Sequence, residues 1–225
     1  MNNLFKIIFI FITFLLIIKC EYIDISEKDI KNAININIPL KKWENGIVYY
    51  KLYWFSEDEK KLIRKCMDII EYRTDCIFFI ENKAENKNKY IVKIVKENKN
   101  YSIIGCSEIS YITLKTVNKK HINHELMHCL GFRHEHQRPD RDQYIKINFE
   151  NIKNNKINNF TIIYDKNEYI YDPLKYKYDY KSILHYRSYS FSKNNKKTIE
   201  MPEQIYSDEL SEIDILKIKN LYKNN

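Results

Sequence analysis

The feature that most restricts this chain is the spacing of three histidines, His124, His128 and His134, around Gly131. Residues four apart project from one face of a helix, so His124 and His128 stand one above the other only where the segment is helical. Gly131 tolerates positive φ, which ends a helix and turns the chain back. Such a turn brings His134 round to the first two rings. Imidazoles bind zinc at about 2.0–2.1 Å, and three protein ligands with an open fourth position describe a catalytic rather than a structural site. Glu125 lies on the adjoining flank of the same helix, where it can hold a water beside the ion. A bare His-Glu-x-x-His string arises by chance on many amphipathic helices. Gly131 and His134 make this one far more specific. His121, His136 and His185 lack such spacing and read as surface or supporting histidines.

The rest of the composition sets the frame. A chain of 225 residues holds one ordinary domain with a sizeable core. Only 3 Gly and 4 Pro exclude collagen-like and linker-type sequences. The net charge is +8, but just 6 of the 38 cations are Arg. The Lys residues are scattered among Glu, Asp and Asn, whereas nucleic-acid readers cluster their cations on one element. No nucleic-acid partner is expected. Five Cys are too few for a disulfide-built scaffold.

Ile7 to Ile18 is an uncharged run flanked by Lys6 and by Lys19-Cys20-Glu21. It is shorter than the roughly 20 apolar residues a membrane span needs, and reads as a secretory signal peptide cut near Cys20. Residues 1–20 are therefore expected to be removed, leaving a secreted protein with no stable membrane association. Residues 21–33 read as a short pro-segment or N-terminal arm, and 34–225 as the folded domain. Within it, strands are expected at Ile47 to Trp54, Cys76 to Ile80, Tyr90 to Val95, Tyr101 to Ile104 and Ile109 to Leu114. Ser56 to Glu59 and Ser211 to Asp214 are capping signals that open helices. A third helix is expected from about 119 to 130. The expected fold is α+β in two lobes, the first ending near residue 134. It holds a twisted, mainly antiparallel-edged sheet and the long histidine helix. The second, 135–225, is largely irregular and ends in a helix.

The string HELMHCLGFRHEHQRPDRD (124–142) resembles the zinc signature of the astacin family of metzincin endopeptidases. Arg73-Thr74-Asp75-Cys76-Ile77-Phe78-Phe79, Ser182-Ile183-Leu184-His185-Tyr186, Phe191-Ser192-Lys193-Asn194 and Leu210-Ser211-Glu212-Ile213-Asp214 resemble further family segments. Together the similarity runs from about Trp43 to Tyr222. The resemblance implies a metzincin fold with a cleft between its lobes. It implies one Zn2+ per chain, bound by His124, His128 and His134, and protein or peptide substrates. It makes Glu125 the general base and Tyr186 the group that stabilises the transition state. Glu135 would contact the mature N-terminus, expected near Ala33 or Ile34. Substrate would lie as an added strand along an edge of the sheet, for which Ile109 to Leu114 is the candidate.

Several positions depart from the family pattern. Leu184 stands where the turn carries Met, a swap that usually costs less than about 1.5 kcal/mol. Asn100 and about Thr116 stand where family members carry a disulfide pair, and Cys76 lacks its C-terminal partner. Cys129 reads as a packed free thiol, with Cys66–Cys76 and Cys76–Cys106 left open as bridges. Residues 21 to 42 contain no Gly for the usual pro-segment motif, leaving Asp24 or Asp29 as a substitute cap on the metal. These departures support an alternative: a catalytically weak or inactive relative acting as a binding protein. No oligomeric state is legible.

Overall fold

The computed structural model describes residues 40–82, 90–108, 110–202 and 207–223. The expected signal peptide, pro-segment and mature N-terminus lie outside them. Seven strands are present among the described residues: β1 (Ile47–Tyr53), β2 (Phe78–Glu81), β3 (Val92–Lys96), β4 (Tyr101–Ser102), β5 (Ser110–Leu114), β6 (Lys146–Ile147) and β7 (Ile199–Glu200). The α-helices among the described residues are α1 (Glu57–Thr74), α2 (Lys119–Cys129) and α3 (Glu212–Tyr222).

The first five strands form one sheet in the order β2-β1-β3-β5-β4. Its pairs are parallel except β4 with β5, which is antiparallel. Every residue of β5 is buried, as expected of an interior strand in a parallel sheet. This corrects the expected edge. The apolar run ending at Leu114 lies between β3 and β4, and the short β4 is the outer strand. At the opposite edge, both backbone groups of Phe79 in β2 are occupied by side chains. The N–H of Phe79 donates to Glu71 at 2.7 Å, and its carbonyl accepts from Arg64 at 2.8 Å. Side chains from α1 thus blunt that edge against pairing with another chain.

Helix α1 begins with a full capping box, in which Ser56 and Glu59 satisfy each other's backbone N–H groups. Its buried residues, Ile63, Cys66, Met67, Ile70 and Thr74, fall every three or four positions and form one face. Helices α2 and α3 pack alongside it. One core joins this layer to Val48, Tyr50, Phe79, Ile94 and Ile112 of the sheet. A second core, Ile145, Ile152, Phe160, Tyr178 and Ile199, fills the region after the histidine segment, where 3-10 turns predominate. Helix α3 does not stay with that region. Its Ile215, Ile218 and Tyr222 return to the first core. The Tyr222 hydroxyl donates to the Leu130 carbonyl at 2.9 Å, at the end of α2.

Candidate active site

Helix α2 opens at Asn118, whose side chain accepts the backbone N–H of His121. It carries His124 and His128 on one face. Gly131 follows with φ +103°, and an added Cβ would meet Ile170 Cδ1 at 2.1 Å. The backbone angle is what calls for glycine, since the Ile170 methyl could shift to make room. The turn delivers His134 to the helix face. The Nε2 atoms of His124, His128 and His134 lie 3.2, 3.2 and 3.3 Å apart. Tetrahedral ligands about 2.0–2.1 Å from a zinc ion are separated by about 3.3–3.4 Å, so the cluster has the spacing of three such ligands. Among the described residues, this is the group of His, Cys, Asp or Glu that can hold a metal ion.

The other ring nitrogens fix the tautomers. His124 Nδ1–H donates to the Ile183 carbonyl at 2.8 Å and His128 Nδ1–H to the Phe132 carbonyl at 2.7 Å. His134 Nδ1–H donates to the side-chain oxygen of Gln137 at 3.0 Å. With Nδ1 protonated, each Nε2 keeps its lone pair toward the common centre. Burial pushes His124 down to about 4 and holds His128 and His134 well below the ordinary value. All three are therefore neutral at physiological pH, the form that binds metal.

Glu125 is 4% exposed, and burial pushes its carboxyl up to about 8. Burial also pushes the Tyr186 hydroxyl up to about 12, with a further contribution from the charge of Glu125, so the two groups face one electrostatic environment. The Tyr186 ring lies 4.7 Å from the His134 ring and stacks on His136 at 3.9 Å. Phe160 and Phe191 pack against it as well. His136 is wholly buried and donates from Nε2 to the Asn159 carbonyl at 3.0 Å, so it is a supporting residue and not a surface one. His185 is also inside, accepting from Tyr178 at 2.8 Å.

Leu184 directly follows the residue whose carbonyl orients His124, and is 2% exposed. Its turn is held at both ends. Ser182 accepts the Leu184 N–H, Asp214 accepts the Ile183 N–H, and the Leu184 carbonyl accepts the N–H of Glu135. Glu135 itself is 1% exposed. Its carboxylate accepts from Lys217 at 2.6 Å, Arg138 at 2.8 Å and the N–H of Asp179 at 3.0 Å. Burial alone raises its pKa, but Lys217 and Arg138 outweigh it and hold the carboxyl below its ordinary value. The expected N-terminal contact lies outside the described residues.

The thiols of Cys66, Cys76, Cys106 and Cys129 are free and buried. Where the family carries its cysteine pair, Asn100 Oδ1 accepts the backbone N–H groups of Lys115 at 2.7 Å and Thr116 at 3.4 Å, joining the same two segments by hydrogen bonds. Sequence reasoning missed Gln137, Lys217 and the second role of Asp214. No local pattern marked Gln137, because its contact with His134 depends on the 3-10 turn at Glu135–Gln137 that follows the extended His134.

The family model for Astacin, a peptidase family, matches residues 35–223. Zinc metalloproteinase nas-6 of Caenorhabditis elegans is 40% identical over 192 residues, covering 80% of this chain and 53% of that protein. Low choriolytic enzyme of Oryzias latipes is 38% identical over 200 residues, covering 81% of this chain and 68% of that one. The chain thus spans about half the length of the first and about two thirds of the second. In structure it is similar to high choriolytic enzyme 1, a hatching-enzyme zinc protease of the same fish. The TM-score there is 0.72 at 29% identity, over 83% of this chain and 94% of the other. Histidine geometry, fold and sequence agree, and the chain belongs to the astacin family of zinc metallopeptidases.

Proposed function

We propose that this chain is a secreted zinc-dependent endopeptidase that hydrolyses peptide bonds in proteins, with Glu125 as general base. The observation that carries the reading is the convergence of three neutral imidazoles beside a buried carboxyl and a buried phenol. His124, His128 and His134 would hold a zinc ion, which would supply Lewis acidity and lower the pKa of a bound water toward about 7. Burial alone keeps the Glu125 carboxyl protonated up to about pH 8, but a cation held beside it would favour the ionised form, in which Glu125 would take the proton of the water that attacks the peptide carbonyl and pass it to the leaving amine. The Tyr186 hydroxyl donates to the oxygen on which negative charge develops. Leu184, in the loop that orients His124, and Gly131, at the turn, hold the ligands in register.

Substrate binds as an extended strand along β4, the open edge of the sheet, and not along β5. The edge adjoins the histidine helix, because the Gly105 N–H just beyond β4 donates to the backbone carbonyl of His128 at 3.0 Å. Secretion rests on the apolar run Ile7 to Ile18, and no described helix is long and apolar enough to cross a membrane. The binding-only alternative loses support from Leu184, whose turn is formed and hydrogen-bonded. Cleavage of a quenched-fluorescent peptide pool, with and without a zinc chelator, tests the proposal. Chelator-sensitive turnover is expected. A zinc-loaded protein that leaves the pool intact would favour the binding role.

A further inference from the structure

The geometry assigns Gln137 a positioning role: its side-chain oxygen fixes the tautomer and ring angle of His134 and so sets how tightly the third ligand holds the metal ion. The inference rests on the metal-centre reading above and deepens it.

The three ligands are not supported alike. His124 and His128 lean on backbone carbonyls, those of Ile183 and Phe132, which no single side-chain change removes. His134 leans on a side chain. It also stands outside α2, beyond the glycine turn, so the hydrogen bonds of that helix do not hold its backbone. The segment Glu135–Gln137 is a 3-10 turn, and the N–H of Gln137 donates to the His134 carbonyl at 3.1 Å. His134 itself is extended at the head of that turn, and the turn folds Gln137 back so that its amide oxygen meets the ring of His134 at 3.0 Å.

Gln137 is in turn anchored by the segment that follows Phe160. Its carbonyl accepts the N–H of Ile163 at 2.9 Å, and its Nε2 donates to the Thr161 carbonyl at 3.4 Å. The second contact decides which way the amide faces. With Nε2 toward a carbonyl, Oε1 faces His134 and can only accept. Nδ1 must then carry the ring proton, and the lone pair of Nε2 is left for the metal. A reversed amide would force the proton onto Nε2, pointing it into the cluster. The orientation of one neutral side chain therefore decides whether the third ligand is competent.

The test is zinc affinity of the full chain, read by competition with a chromophoric chelator and needing no peptide substrate. Gln137→Leu removes the acceptor at similar size, and is expected to weaken zinc binding about 10–100-fold while leaving the apo-protein melting temperature near wild type. Gln137→Glu keeps the acceptor and adds charge, so it should bind zinc at least as tightly as wild type. Zinc affinity of Gln137→Leu within twofold of wild type would overturn the assignment. Should that variant fail to fold, weaker zinc binding by Gln137→Glu would overturn it as well. Because metal retention is read apart from turnover, failure here leaves the peptidase reading standing. Loss of turnover with normal metal affinity would do the reverse.

Discussion

The carboxylate of Asp214 accepts the backbone N–H of Ile183 at 2.9 Å, and the carbonyl of that same Ile183 accepts Nδ1–H of His124 at 2.8 Å. One residue in the first turn of α3 thus holds the loop that orients a metal ligand on α2. Asp214 does this while completing its own helix cap, accepting the N–H of Ser211 at 3.1 Å. The last helix is therefore part of the active-site frame, which explains why it leaves the second core for the first.

Asp214 gives this frame a pH dependence. The residue is wholly buried, and burial pushes its carboxyl from 3.8 up to about 6, against the pull of Lys217. Folded protein keeps this proton up to about pH 6, whereas the unfolded chain releases it near pH 4. Between those values the folded state binds more protons, so this group makes stability fall as pH rises, by up to about 3 kcal/mol. Below pH 4 both states are protonated and the contribution is level. Asp214→Asn should be less stable at every pH but should lose that slope. Urea midpoints at intervals from pH 4 to 7 check this, and equal slopes for the two proteins would contradict it.

Leu184 invites a restoration experiment. Leu and Met are close in volume, and the hydrogen bonds of this turn run through backbone atoms, Ser182 and Asp214. Leu184→Met is expected to change stability by less than about 1.5 kcal/mol and to leave turnover close to wild type. A large rise in turnover would mean that leucine distorts the site.

Tyr186 is packed among the rings of His134, His136, Phe160 and Phe191, so removing its hydroxyl should not move it. Tyr186→Phe is expected to lower kcat by about 10²–10³, the usual cost of losing one oxyanion donor, with KM nearly unchanged. Steady-state kinetics on one good peptide separate the two. An unchanged kcat would remove Tyr186 from the mechanism.

How far the sequence foretold this molecule depended on the range of each signal. His124, His128, Gly131 and His134 could be read because helix period and glycine conformation are local rules. The capping boxes at Ser56 and Ser211 were legible for the same reason, and both are present. Strand order is not local. An apolar run marks burial on both faces, which argues for the middle of a sheet, and β5 was nonetheless expected at the edge. The true edge, Tyr101–Ser102, is two residues long and shows no alternation. Pairings such as Glu135 with Lys217 join residues far apart in the chain, and a lone lysine in a helix gives no sign that it points inward. Gln137 carries no apolar pattern and no charge, so only the folded chain connects it with His134.

The central claim is that Glu125 moves the proton in a zinc-dependent hydrolysis. Its most direct test is turnover per zinc-loaded chain for wild type and Glu125→Ala, with metal content measured on the same samples. Equal zinc is predicted in both proteins, with a fall in turnover of at least about 10²–10⁴ in the variant. Comparable turnover in the two proteins, at matched zinc content, would contradict it.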